Sequence, residues 1–355
     1  MSSDTNSRLK PTIRMVAEHA QLSPTTVSLA LRGAKSIPLE TRERVLEAAR
    51  KLNYTYAPRT HTAAQTDTQH LVFVMPEVDN QPITTNPFYG EVLSGAEQAC
   101  TMQNASLTFA VLSHLDHTAT PFPSALLNTW LDGILLVGPY PRSLIERLAD
   151  ASGKTIVLVD NWTVGLPYDS VMADDFGGAY ISTQHLLNLG HRFIGAIVGR
   201  LDTPSFAERY RGYCAACQDA DVAPQPAIEM GWDRSAIRIT LQKLLADEPR
   251  LTALFCVADH YAVISMEALR DLNLTIPHNI SVVGFDNEPI ARLAHPSLTT
   301  LNNHPRILGR LGVQRLLARI EGNDDPPQRI TIGTELIVRE STQAMEQQCT
   351  QIPPP

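Results

Sequence analysis

Residues 12–33, TIRMVAEHAQLSPTTVSLALRG, carry two short helices back to back. Ile13, Val16, Ala17 and Ala20 recur at i, i+3, i+4 and i+7, the period of an amphipathic helix, and Thr12 is placed to cap it. Gln21, Leu22 and Ser23 interrupt the pattern. Ser23 then stands as the N-cap of a second helix with Pro24 at its first position, where a missing N–H costs little. Gly33 is a good stop for it. A third helix follows Pro38 over LETRERVLEAARKLNY, with Leu39, Val45, Leu46, Ala49 and Leu52 expected to face inward. Helix, three-residue turn and helix make the geometry of a helix-turn-helix, whose second helix enters the major groove with its first residues at base edges. An ordinary three-helix bundle shares the same pattern.

Charge separates this head from the rest. The 355-residue chain has a net charge of -8. Residues 1–70 hold ten Lys/Arg and six Asp/Glu, a net of +4, and residues 71–355 hold nineteen and thirty-one, a net of -12. A small basic head on a large acidic body suits phosphate contacts at one end only. Length allows two or three domains at roughly 150 residues each. No apolar run approaches the ~20 residues of a membrane span, and the first ten residues, MSSDTNSRLK, lack the apolar core of a secretory signal. Five cysteines, few and odd in number, read as a reducing compartment. The expectation is a cytoplasmic protein with no membrane partner.

Residues 55–70 are polar, Thr-rich and without an apolar stripe, a linker candidate. Beyond them short apolar runs alternate with helical stretches: LVFVM (71–75), SLTFAVL (106–112), GILLVG (133–138), TIVLVD (155–160), FIGAIVG (193–199), ALFCVAD (253–259) and SVVGFD (281–286). Such runs between helices read as buried parallel strands in βαβ units. They are too many for one doubly wound sheet, so two α/β lobes are expected, with a ligand crevice at the carboxyl ends of the strands.

The segment from 12 to 54 resembles the DNA-binding head of the LacI/GalR family of bacterial transcription regulators. The resemblance continues through NPFYGEVLSGAEQA (86–99), LDGILLVGP (131–139), IVLVDN (156–161), HLLNLGHRFIGAIVG (185–199), ERYRGYCAA (208–216), ISVVGFDN (280–287), PSLTTLNN (296–303), LGRLGVQRLLARIEG (308–322) and TELIVREST (334–342). These blocks cover nearly all of 12–342 in order. The resemblance implies an all-α helix-turn-helix head at 11–56 and a hinge at 57–70. It implies a two-lobed α/β core with parallel sheets at 71–342, of the type I periplasmic-binding-protein-like kind, and a tail at 343–355. The N-lobe would take about 71–172 and 303–326, and the C-lobe about 173–302 and 327–342. It also implies a homodimer on double-stranded operator DNA, a repressor of carbohydrate genes, and a small effector, a sugar or sugar derivative, between the lobes. No cofactor is implied.

Carried over position by position, the base-reading residues fall at Pro24, Thr25 and Leu29, and phosphate contacts at Thr12, Ser23, Thr26, Ser28 and Arg32. Leu29 departs from the Arg or His of many relatives, so readout there is apolar or shape-based. Ala63 falls where relatives carry a leucine that wedges into the minor groove. Either DNA is bent less, or the hinge is shifted in register. In the cleft, Asp286 and Arg209 match effector-binding positions, Asp160 ends a strand, and Phe88 and Trp232 fall near aromatic positions flanking effectors. A strand-end aspartate also caps helices, and a lone tryptophan is more often core. Ala258 stands where relatives often have Asn.

Other chemistry is weak. Cys214-x-x-Cys217 has no second pair and lies on an expected helix, where packing outweighs zinc. Asp174-Asp175 suits a helix N-terminus and Asp324-Asp325 a turn. No metal-ligand spacing and no nucleophile with an activating partner is found, so an enzyme is not expected. A periplasmic-type sugar-binding protein is the alternative, sharing the body but needing no basic head.

Overall fold

The computed structural model describes residues 13–31, 37–52, 54, 68–77, 86–113, 121–229 and 234–345. It divides into a head, up to Asp67, and a core from Thr68 onward.

The head holds α1 (Ile13–Ala20), α2 (Pro24–Leu31) and α3 (Leu39–Lys51). Between the first two, Gln21 takes a left-handed φ of 54°, and the Leu22 N–H bonds back to the Ala17 carbonyl at 3.0 Å, which ends α1. Ser23 caps α2 as its sequence position suggests: its hydroxyl accepts from the Thr26 N–H at 3.1 Å. Val16, Ala17, Ala20, Val27, Ala30, Val45, Ala48 and Ala49 form one buried cluster. Two expected core residues differ. Leu39 is 70% exposed and Leu46 41%. The buried stripe of α3 runs through Val45, Ala48 and Ala49 with Leu52 packed beside them, and Leu46 lies about 100° around the helix from Val45.

The core begins with β1 (His70–Glu77), α4 (Pro87–Met102), β2 (Ser106–Ser113), β3 (Gly133–Val137), α5 (Arg142–Ser152), β4 (Thr155–Val159) and β5 (Asp169–Ala173). It continues with α6 (Asp175–Asn188), β6 (Ile194–Val198), α7 (Pro204–Asp219), β7 (Ala227–Glu229), α8 (Arg234–Asp247), β8 (Ala253–Cys256), α9 (Asp259–Asp271), β9 (Ser281–Val283), α10 (Pro289–Leu293) and β10 (Thr300–Asn302). The last elements are α11 (Pro305–Ile320), β11 (Arg329–Ile332) and β12 (Glu335–Ile337). The first sheet runs β11-β5-β4-β3-β1-β2 and the second β7-β6-β8-β9, all in parallel pairs; β10 and β12 form a separate antiparallel ribbon. The architecture is therefore the expected one, a helical head with a two-lobed parallel α/β core.

The chain crosses between lobes three times: from β5 into α6, from β10 into α11, and from β11 into β12. The third crossing lies later than the boundary of 326/327 implied by the resemblance. Arg329–Ile332 pairs with Ser170–Ala173, so these residues complete the N-lobe sheet, and the chain leaves only after Ile332. Asp169 explains the placement. Its buried carboxylate accepts from Arg315 Nε at 2.5 Å, Arg319 Nε at 2.7 Å and the Gln328 N–H at 2.6 Å, drawing the chain after α11 against β5. The strand 169–173, passed over in the sequence, is what β11 pairs with.

Helices α4 and α11 pack unusually close. A Cβ on Gly309 would lie 1.9 Å from the Val92 carbonyl oxygen, and one on Gly95 would lie 2.0 Å from that of Arg306. Only glycine permits this approach, which brings the N-terminal end of α4 against the second crossing.

A candidate ligand cleft and a candidate DNA-reading helix

Each lobe carries an Asp-Asn pair just beyond a strand of its parallel sheet. Asp160 follows β4 with φ 54°, and Asp286 and Asn287 follow β9 with φ 106° and 54°. Asp and Asn are the non-glycine residues that best tolerate this region, and the turn throws the aspartate out of the sheet at its carboxyl end.

On the C-lobe side the cluster is built around Arg209 of α7, 3% exposed. Its Nε donates to Asp175 at 2.8 Å, and its Nη1 donates to the Val257 carbonyl at 2.6 Å and lies 3.0 Å from Asp286. The guanidinium carbon sits 3.8 Å from the centroid of the Phe285 ring. Asp286 also accepts from Asn303 Nδ2 at 2.8 Å. Asp259, at the start of α9, takes the Glu288 N–H at 2.7 Å and the Thr300 hydroxyl, which holds the chain after Asp286 in place. Asp175 lies on the first crossing and Asn303 on the second, so two lobe connections are tied directly to Arg209 and Asp286.

On the N-lobe side, Asp160 is 8% exposed and accepts from the Tyr89 hydroxyl at 3.5 Å. Phe88, beside it on α4, is buried edge-on to Tyr89 with ring centroids 5.2 Å apart. A cavity of about 600 Å³ opens between the lobes, lined by Phe88 and Glu91 of α4, by Asp286, Glu288 and Arg292, and by His304 of the second crossing.

The electrostatics are those of a cluster short of positive charge. Burial, reinforced by the charge of Asp175 and opposed by Arg209, pushes Asp160 up to about 8. Burial also raises Asp286, against the pull of Arg209, to about 6, and lifts Glu288, with help from Asp286, to about 7. Burial works against the charged form of Arg209, but Asp286 and Asp175 outweigh it and hold the group more firmly protonated than usual.

Of the residues read from sequence, Phe88 and Asp286 line the cavity, Arg209 is paired with Asp286, and Asp160 is bonded to Tyr89 on the opposite lobe; Trp232 lies outside the described residues. Asp286 is no helix cap: it pairs with Arg209. Sequence reasoning missed Tyr89, Asn303, Glu288 and Asp175. The Asp174-Asp175 pair splits its roles. Asp174 caps α6 through the Gly177 N–H at 2.9 Å, while Asp175 turns to Arg209. The doubled aspartate was the available signal. Cys217 is buried in the C-lobe core and Cys214 packs against it, as expected for structural thiols.

In the head, the Ser23 and Thr26 hydroxyls lie 2.8 Å apart at the start of α2. The side chains of Pro24, Thr25, Ser28 and Leu29 lie outside the described set, as do residues Thr12, Arg32 and Ala63.

A helix-turn-helix joined to a two-lobed core with a polar interlobe cleft defines the class of ligand-responsive DNA-binding regulators. The chain matches the model of the lacI family of bacterial regulatory proteins over residues 12–56 and that of the periplasmic binding protein-like domain over residues 183–342. It is 29% identical over 337 residues to a ribose operon repressor of Haemophilus influenzae, covering 94% of this chain and 99% of that protein. To the transcriptional repressor PurR of Aliivibrio salmonicida it is 27% identical, covering 93% and 98%. Among solved structures it is similar to a complex of the transcriptional regulator CelR with cellobiose, with a TM-score of 0.69, 26% identity and coverage of 93% and 99%. A lac repressor dimer bound to operator and an anti-inducer shares the fold at a TM-score of 0.67, 21% identity and coverage of 95% and 100%. Among the described residues no helix is long and apolar enough to cross a membrane.

Proposed function

We propose that this protein is a cytoplasmic, non-catalytic repressor of carbohydrate uptake or catabolism genes, binding operator DNA as a homodimer and a sugar or sugar derivative between its lobes. The observation that carries the reading is the Asp175–Arg209–Asp286 cluster. It is buried, it is anchored on two of the three lobe crossings, and it shares its electrostatic field with Asp160 of the opposite lobe. A ligand touching both sides changes the lobe angle, and it acts only through its difference in affinity for the two arrangements. Half-sites on DNA stand at fixed helical spacing, so a changed separation of two heads removes the second head's contribution.

In this reading Pro24, Thr25 and Leu29 face bases, Thr12, Ser23, Thr26, Ser28 and Arg32 face phosphates, and Ala63 lies in the hinge. Phe88, Asp160, Arg209, Trp232 and Asp286 contact the effector. The second copy has a surface that suits it. Among the described residues, β2 is the edge strand of its sheet and presents Phe109, 64% exposed, and Val111, 39% exposed, and a sheet edge of this kind favours association. The PurR and ribose operon repressor relatives and the cellobiose-bound CelR neighbour support repression with a small effector.

The test is a gel shift with sheared genomic DNA at low and moderate salt, followed by sequencing of the retained fragments. Salt-sensitive retention that enriches fragments upstream of carbohydrate genes supports the reading. Failure to retain DNA at low salt overturns it.

A further inference from the structure

We propose that the cleft selects a ligand carrying a positive charge, an amine set among hydroxyls as in an aminated sugar, over its neutral and anionic counterparts. The inference rests on the reading of the cleft as the effector site.

Two buried carboxyls, Asp175 and Asp286, hold one guanidinium, Asp160 of the opposite lobe lies within its field, and Glu288 adds a fourth carboxyl at the cavity wall. That guanidinium is already committed. Arg209 directs Nε and Nη1 to Asp175, Val257 and Asp286 and lays its plane near Phe285, so its charge is neutralised before any ligand arrives. An anion entering here meets carboxyls. Arg306, which lines the cavity, is largely exposed and paired with Glu91, and Arg292 stands on the same exposed rim.

The buried atoms left without partners point the same way. Among the described residues, Asp175 Oδ2 and Asn303 Oδ1 have no hydrogen-bond partner, and both residues are at most 3% exposed. Both atoms are acceptors. Asn303 is bonded to Asp286, which lines the cavity, and Asp175 to Arg209, so they stand directly behind the cavity wall. Leaving such groups unpaired is costly, so their natural complement is a ligand rich in donors. An ammonium supplies three N–H donors and the missing charge together. Phe88, on the cavity wall, offers an aromatic face to the same group. Burial and the charge of Asp175 favour the protonated form of Asp160, which marks a surplus of negative charge that a ligand ammonium would offset.

The experiment titrates the full-length protein, in a zwitterionic buffer, with three probes. The first is tris(hydroxymethyl)aminomethane. The second is its neutral isostere 1,1,1-tris(hydroxymethyl)ethane, which replaces the ammonium by a methyl group. The third is glycerol 2-phosphate. Melting temperature is read against probe concentration. The amine is expected to stabilise saturably, at a concentration at least ten-fold below that of the neutral triol, and the phosphate ester not at all. Asp160→Asn and Asp175→Asn, checked for folding by circular dichroism, are each expected to shrink the ten-fold preference; the wild-type comparison decides the matter if either fails to fold. Equal stabilisation by amine and triol, stabilisation by the phosphate ester, or no saturable effect of the amine overturns the charge preference. Equal stabilisation that Asp286→Asn abolishes removes only that preference and leaves the effector reading standing. Stabilisation untouched by Asp286→Asn and Asp160→Asn overturns both.

Discussion

Arg209 and Asp286 approach to 3.0 Å across the floor of the cleft, both almost wholly buried, with Asp175 bound to the other side of the same guanidinium. The pair joins a helix of the C-lobe to the turn that follows its edge strand. Through Asn303 and Asp175 it also reaches two of the segments that connect the lobes. A ligand that disturbs this pair acts on those lobe connections without an intermediary.

Asp286→Asn keeps the shape of the site and a partner for Asn303 but loses the charge opposite Arg209. The effector concentration needed for half response is expected to rise at least ten-fold, measured by titrating effector against a labelled operator complex. Arg209→Ala is harsher. It leaves Asp175 and Asp286 buried without their counter-charge, at a cost of about 3–5 kcal/mol. A melting temperature lowered by about 10 °C is expected for a core of this size. An unchanged melting temperature in a folded Arg209→Ala variant would show the cluster to be less buried than described.

The cleft carboxyls should add stability as pH falls through the neutral range, against His185, His191 and His260, whose lowered values work the other way. Asp160, Asp286 and Glu288 sit at about 8, about 6 and about 7, above the ordinary carboxyl range near 4 that the unfolded chain would show. Between those limits the folded state binds more protons than the unfolded one. The stabilisation is full below about pH 4 for these groups and is lost as pH rises through their folded values. Thermal melts at pH 5.5 and 8.5 are expected to show the higher transition at pH 5.5. Asp160→Asn, which removes the group facing Asp175, Arg209, Asp286 and Tyr89, should flatten the difference. A difference between the two pH values that Asp160→Asn leaves unaltered contradicts the assignment.

Asp169 anchors the end of the N-lobe. Burial pulls its carboxyl upward, but the bonds from Arg319, the Gln328 N–H and Arg315 prevail and hold it below the usual range. Asp169→Ala strands two arginines against β5 and is expected to destabilise the core by about 3–5 kcal/mol. Urea denaturation measures this. A loss under 1 kcal/mol would mean that β11 holds its register without the carboxylate.

In the proposed reading the head separates base reading from phosphate binding. Thr25→Ala is expected to change preference at one or two operator positions. Arg32→Ala should weaken all sequences about equally and lower the salt slope by about one unit. Competition gel shifts over a salt series distinguish the two. A change of sequence preference in Arg32→Ala with an unaltered slope would reverse the assignment.

The local elements were legible in the chain because each is written in nearby residues. The period of Val16, Ala17 and Ala20, the Ser23 cap with Pro24 after it, and apolar runs such as 133–138 specify helices and buried strands through contacts a few residues apart. Asp286, Arg209, Asp160 and Phe88 could be singled out because they end strands or fall in family blocks. What the chain did not disclose was how these residues pair. The β5–β11 ladder depends on a carboxylate 146 residues from Arg315 along the sequence. Asp175 looks like a helix-terminal charge until α7 packs against α6 and sets Arg209 beside it. Leu39 and Leu46 look like core until α1 and α2 choose the neighbouring face of α3. Periodicity reports which residues share a face. Only packing decides what that face meets, and burial then turns ordinary aspartates into a coupled cluster.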